Sequence, residues 1–148
     1  FKVAADGSVA EVHAVESNIG HRALEACLTS AVAETHFPEP AGRATAEFEW
    51  GLNVDPATSR VPEEIEAEVL DRVLRKHTDK LLEHCEVRRP KERFAVTAYL
   101  TRSGRVTSAG ATARPPAAEA KVDCVLAELA SLRMPRLKHE AKVRFELR

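Results

Sequence analysis

Three cysteines, six histidines and several adjacent carboxylates are the side chains of this 148-residue sequence best suited to nucleophilic, proton-transfer or metal chemistry. Cys27, Cys85 and Cys124 lie far apart, so none has the spacing of about two to four residues with which cysteines wrap zinc. His77 and His84 are seven apart on a helical pattern, with Cys85 next to the second. No carboxylate stands in register to complete a ligand set, and the simpler reading is structural. A cysteine nucleophile needs a base and an orienting group beside it. A mid-helix cysteine that recurs along the chain instead reads as part of the fold. Glu63 with Glu64, and Glu66 with Glu68, fall on the polar face of a helix, where carboxylates are solvated. G-x-S-x-G, H-E-x-x-H, P-loop and GxGxxG patterns do not occur. The expectation is a protein without catalysis, cofactor or metal.

The elements that must position these residues come from an internal repeat. An offset of 97 takes Gly7 to Gly104, Val9 to Val106, Cys27 to Cys124, Pro38 to Pro135, Phe48 to Phe145 and Glu49 to Glu146 without a gap. Ala14, Ala23 and Ala33 match Ala111, Ala120 and Ala130 at the same offset. A turn glycine, a helix cysteine, a helix-ending proline and a strand aromatic have different structural tasks, and their joint recurrence argues for a duplicated unit.

The second copy, 62–148, reads α-β-β-α-β. Pro62 with Glu63 and Glu64 suits a helix start. Ile65, Val69, Val73, His77, Leu81 and Cys85, widened by Leu70, Leu74 and Leu82, then make an apolar face. Phe94, Val96, Ala98 and Leu100 alternate with Ala95, Thr97, Tyr99 and Thr101 as a half-buried strand. Ser103-Gly104 turns the chain into a return strand from Arg105 to about Ala113. Pro115 and Pro116 open a helix carrying Val122, Val125, Leu126, Leu129 and Leu132, and Pro135 stops it. In the closing strand Val143, Phe145 and Leu147 face one way, and Lys142, Arg144 and Glu146 the other.

The first copy, 1–54, offers only β-β-α-β. Its hairpin spans Phe1 to Glu16, its helix Ile19 to Thr35 around Leu24, Cys27, Leu28, Ala31 and Val32, and its last strand Arg43 to Asn53 with Phe48 and Trp50. The polar stretch of Asp55, Pro56, Thr58 and Ser59 joins the copies. The fold class is α+β, with a three-stranded antiparallel sheet on helices in each unit. Copy one, lacking a leading helix, is expected to be the less stable half.

This frame returns to the cysteines. Cys85 and Cys124 end up on neighbouring helices of copy two, close enough in principle for a bridge. Cys27 is then half of an equivalent bridge whose partner lies in the helix copy one lacks. Three reduced core thiols, or a Cys27–Cys85 pairing, are the alternatives.

Hydrophobic residues at 44% and charged residues at 30% suit a soluble globular chain, and a net charge of -1, from 22 basic and 23 acidic side chains, disfavours nucleic acid. No apolar run reaches the roughly 18 residues of a membrane span. The chain opens at Phe1 inside a strand-like pattern and reads as a fragment, with any signal, anchor or linker upstream. The basic cluster Arg88, Arg89, Lys91 and Arg93 admits an anion or lipid contact but is more simply a soluble loop.

Val3, Gly7, Val9, Val12, Ser17, Cys27, Phe37, Pro38 and Pro40, with the F-x-W of Phe48 and Trp50, resemble the C-terminal domain of TonB. More narrowly the chain is similar to the AgmX/PglI C-terminal domain, a TonB-like variant whose two helices typically each carry a cysteine, as Cys85 and Cys124 do. Copy two keeps Gly104, Val106, Cys124, Met134 and Pro135, but has Arg114 in place of the serine and Leu137 in place of the second proline. The resemblance implies a periplasmic interaction module of an inner-membrane-anchored, energy-transducing or gliding-motility-type protein, without catalysis. Its partners would be peptides of envelope or outer-membrane proteins, with membrane contact only through an upstream anchor. In this family the last strand is the edge that takes up a partner peptide, which points to Thr45, Glu47 and Glu49 in copy one and Lys142, Arg144 and Glu146 in copy two. A peptidoglycan- or lipid-binding envelope module using the Arg88 to Arg93 loop is the alternative.

Overall fold

Residues 1–51, 67–88, 90–134 and 136–148 are described by the computed structural model, which is α+β with two three-stranded antiparallel sheets and three α-helices. Its two compact units are Phe1–Ala14 with Ala23–Arg60, and Val15–Arg22 with Val61–Arg148.

In the second unit, helix α2 (Ala67–His84) precedes β4 (Arg93–Leu100), β5 (Val106–Arg114), a 3-10 turn (Pro116–Lys121), helix α3 (Val122–Ser131) and β6 (Ala141–Leu147). The sheet order is β5-β4-β6. The alternation read in the sequence holds. Phe94, Val96, Ala98 and Leu100 are buried with Ala111, Ala113, Val143 and Leu147 against Leu74, Leu81, Leu82, Val122, Val125, Leu126 and Leu129. The small residues of β5 let α3 lie close to the sheet. Leu74, Leu81, Leu82 and Cys85 carry the apolar face of α2 into this core, whereas His77 is exposed, so the face turns polar there. The helix start expected at Pro62 and the stop at Pro135 lie outside the described residues.

The way α2 ends fixes Cys85. Glu86 adopts a left-handed φ of 53°, the Val87 N–H donates to Leu82 O at 2.8 Å, and the Glu86 N–H donates to Glu83 O at 3.0 Å. These two bonds make a Schellman C-cap, in which the last helical carbonyls find donors and the apolar residue after the cap folds back on the helix. Lys121 Nζ donates to Glu86 O and to Glu92 Oε2, each at 2.6 Å, tying the cap to the start of α3. The lysine hydrogen bond, followed by the Arg88 backbone N–H, holds the Glu92 carboxyl below the usual carboxylate range. Cys85 and Cys124 are thus held 5.8 Å apart at Cα and form a disulfide, while Cys27 is a free, exposed thiol. The all-reduced and Cys27–Cys85 alternatives are set aside.

The first unit pairs β1 (Lys2–Val3) with β2 (Val9–Glu11) and with β3 (Ala46–Glu47), in the order β2-β1-β3, and contains helix α1 (Arg22–Ala33). Its hairpin repeats the second unit's. Lys2 faces Glu11 and Val3 faces Val9, as Tyr99 faces Ser108 and Leu100 faces Val106, with the register irregularity at the same step. Gly7 and Gly104 hold the turns at φ 86° and 76°, where a side chain is strained.

The expected boundaries were too generous. The hairpin strands stop at Glu11, the helix runs Arg22–Ala33 rather than Ile19 to Thr35, and the last strand is Ala46–Glu47 rather than Arg43 to Asn53. Leu52 and Asn53 lie outside the described residues. Lys2 pairs with Glu47, whereas the offset of 97 from the Tyr99–Lys142 pair would give Thr45. A slip of two residues keeps every side chain on its face and leaves no trace in the hydropathy pattern. Leu24, Cys27 and Ala31, read as part of an apolar stripe, are exposed.

Candidate binding edge

β6 pairs with β4 through seven consecutive residue pairs, from Phe94 with Leu147 to Leu100 with Ala141, and ends the sheet on one side. The backbone groups of alternate residues on such an outer strand point away from the sheet. β5 ends the other side, and the hairpin turn leading into it is met by the chain that follows α3. Arg105 bridges to Arg133, the Met134 N–H donates to Gly104 O at 2.9 Å, and the Leu137 N–H donates to Arg102 O at 2.9 Å. No comparable segment runs along β6 among the described residues.

The side chains flanking the β6 edge are committed within the unit. Lys142 Nζ lies 5.5 Å from the Tyr99 ring centroid, a cation–π contact. Arg144 Nη2 donates to Glu16 Oε1 at 2.8 Å, and Arg93 Nη1 lies 3.9 Å from Glu146 Oε1. All three expected residues share the face opposite the core. They frame the edge rather than form a pocket.

Sequence reasoning missed the strap Val15–Arg22, which crosses this open face. Glu16 meets Arg144 on β6, Thr97 Oγ1 on β4 donates to Ser17 O at 3.3 Å, and Ser108 Oγ on β5 donates to Gly20 O at 2.6 Å. The chain then turns round β5. Arg22 Nε donates to Asp123 Oδ1 at 2.8 Å and Nη1 to Glu119 Oε1 at 2.6 Å, at the start of α3. Those two acceptors, Asp123 first, raise the guanidinium pKa further. The strap explains how Thr97 can be buried on the face away from the core: its hydroxyl has a carbonyl partner, and its ladder neighbour Gly110 leaves room. Gly20 is the tightest point. At φ 67°, an added Cβ would lie 2.8 Å from Tyr99 Cε2 and 3.0 Å from Thr97 Cγ2. The Gly20→Ala variant is therefore expected to lose about 1–3 kcal/mol of stability, read by urea denaturation. A change within about 0.3 kcal/mol would show that the strap contributes no rigidity.

In the first unit only Glu47 of the expected trio sits in a strand. Thr45 and Glu49 flank it, all three exposed, so the acidic edge is far shorter than expected. Glu47 faces Lys2, whose Nζ donates to Glu11 Oε2 at 2.6 Å. That hydrogen bond is the main reason the Lys2 pKa is raised and the Glu11 pKa lowered. Among the described residues the first unit offers no comparable length of edge.

No family model, curated protein or solved structure matches this chain.

An open depression of about 280 Å³ lies between β5 and α3, lined by Arg22, Val106, Ser108, Leu126 and Ala130. Its polar side chains already have partners, Arg22 with two carboxylates and Ser108 with Gly20 O. No group of three or more His, Cys, Asp or Glu side chains could hold a metal ion among the described residues. None of the described helices is long and apolar enough to cross a membrane.

Proposed function

We propose that this chain is a non-catalytic, periplasmic interaction module that binds an extended peptide of an envelope or outer-membrane protein by adding it as a strand to β6. It would belong to an inner-membrane-anchored, TonB-like protein of the energy-transducing or gliding-motility type. The observation that carries the reading is the edge strand β6, paired with β4 through seven consecutive residues and followed along its outer side by no other segment among the described residues, whereas contacts from Arg133, Met134 and Leu137 meet the turn that leads into β5. Backbone hydrogen bonds along such an edge supply affinity, and alternate side chains supply selectivity. Lys142, Arg144 and Glu146 would contact the ligand's side chains on the open face, where their mixed charge suits a polar, mixed-charge segment. The Cys85–Cys124 disulfide supports an oxidising compartment, and the resemblance of Gly7, Cys27, Pro38 and their repeats to the AgmX/PglI C-terminal domain supports the family.

Strand addition has a signature that side-chain docking lacks. Short random peptides are selected on the immobilised chain, and the best binder is resynthesised with single N-methyl groups at successive positions. Methylation at alternate positions should weaken binding about five- to tenfold, the loss of a hydrogen bond worth about 1–1.5 kcal/mol, and at the intervening positions much less. Binding indifferent to N-methylation would refute strand addition. Retention on purified cell wall, abolished by charge removal at Arg88 and Lys91, would replace it with the peptidoglycan reading.

A further inference from the structure

The face of β6 away from the core carries a row of three charged side chains, Lys142, Arg144 and Glu146, at every second position and so about 7 Å apart along the strand. Register with β4 sets them beside Tyr99, Thr97 and Ala95. Their neighbours on that inner side differ in chemistry. Lys142 lies over the Tyr99 ring at 5.5 Å, and no carboxylate pairs with it among the described residues. Glu146 has the Arg93 guanidinium at 3.9 Å, beyond hydrogen-bond length. Arg144 has Glu16 at 2.8 Å, brought to it by the strap and not by a strand of the sheet.

Glu16 shows what the middle of this row accepts. A carboxylate carried by a segment outside the ladder already sits on Arg144, and among the described residues only Nη2 of the guanidinium is engaged. Arg22, in the same unit, holds two carboxylates at once, Asp123 on Nε and Glu119 on Nη1, so a second acid on Arg144 asks nothing unusual of the guanidinium fork. Both partners of the Glu16 pair are exposed, and such a pair holds weakly enough to be shared or exchanged.

The core side of the strand adds an independent constraint. Ala141, Val143 and Leu147 are buried there, whereas Phe145 is only partly buried, at the margin of the core. A strand added outside β6 places one side chain directly opposite Phe145 on the same face. An apolar side chain in that position takes more of the ring out of water.

We infer, resting on the reading of β6 as a strand-adding edge, that β6 selects an antiparallel strand with a basic residue opposite Glu146, an apolar one opposite Phe145, and acidic ones opposite Arg144 and Lys142. Antiparallel pairing is the more stable per residue. From its amino end the ligand therefore reads basic, apolar, acidic, any residue, acidic. Directly opposed unlike charges stabilise a sheet and like charges destabilise it, so the row that attracts this strand rejects one of reversed charge. Glu16 shares Arg144 with the central acid of the ligand and so limits how tightly that acid is held.

The test is an NMR titration of the oxidised chain with three capped peptides that differ only at the charged positions. The first carries lysine, valine, glutamate, threonine and glutamate in that order between flanking threonines; the second has the charges reversed; the third has glutamine in their place. At low ionic strength the first is expected to bind at Ala141–Leu147 about tenfold more tightly than the second, with the third between them. Glu16→Gln should tighten the first peptide and leave the third unchanged. Arg144→Glu should reverse the preference at the central position, so that lysine there replaces glutamate in the tighter binder. Glu16 and Arg144 are exposed, so these variants keep the fold, and the peptide series needs no variant at all. Equal affinities for β6, or a preference for the second peptide, would overturn the inference and leave strand addition standing. Peptides that leave the β6 amides unmoved would overturn both. Concentration-dependent pairing of β6 with a second copy, read by sedimentation and by protected β6 amides without peptide, would make the chain itself the occupant and overturn the inference as well.

Discussion

Reduction of the Cys85–Cys124 bond should lower the melting temperature of the second unit by about 15 °C or more. The bond closes a loop of 39 residues. In the chain-entropy model that constraint removes about 4 kcal/mol of denatured-state freedom. A domain of this size gains or loses about 4–8 °C per kcal/mol. The native state has little to recover by relaxing, because Cys85 is buried between the end of α2 and the core and is already positioned by the Val87 and Glu86 cap bonds. The double variant Cys85→Ala with Cys124→Ala should melt near the reduced wild type, whereas Cys27→Ser should not change the midpoint of the present chain. Calorimetry with and without reductant checks all three. A drop below about 5 °C, little more than 1 kcal/mol, would mean that the reduced unfolded chain already holds these helices together.

Loss of similar size is expected from Phe94→Ala. Phe94 is fully buried at the start of β4, between Ala113 on one side and Leu147 on the other. Two small alanines on β5 cannot move to fill the space, so the variant leaves a cavity as well as losing transfer free energy, together about 3–5 kcal/mol. Glu146→Ala, on the opposite face of the adjoining strand, should change stability by no more than about 0.5 kcal/mol. Equilibrium urea unfolding of the pair checks which face of the sheet is the core. Equal losses would contradict the assignment.

The second prediction rests on a feature that the sequence displays openly, whereas the disulfide pairing was one of three readings that the cysteine positions allowed. Alternation along Phe94 to Leu100 and Ala141 to Leu147 separates core from open face, since a residue buried on one side of a pleat needs apolar character at every second position. The recurrence of Gly7 as Gly104 marks two turns with the same backbone need, and the hairpins they close share a register down to its irregularity. Other features leave no such trace. The strap Val15–Arg22 is a short run with no apolar period, and its contacts are made by backbone carbonyls, whose partners no side-chain pattern encodes. The two-residue slip of β3 is silent because strand patterning repeats every two residues. At the edge, the types and face of Lys142, Arg144 and Glu146 were legible, but the contact of Arg133 with Arg105, in the turn before β5, arises from the chain's return after α3.

The most direct measurement of strand addition at β6 is an amide NMR titration of the oxidised chain with a selected peptide. The account predicts the largest shifts at Ala141–Leu147, with alternate amides in that stretch becoming slower to exchange with solvent as they acquire partners, and smaller changes at the framing residues Glu16, Arg93 and Tyr99. Shifts centred on Val106–Arg114, or on the loop from Arg88 to Arg93 with β6 unmoved, would contradict it.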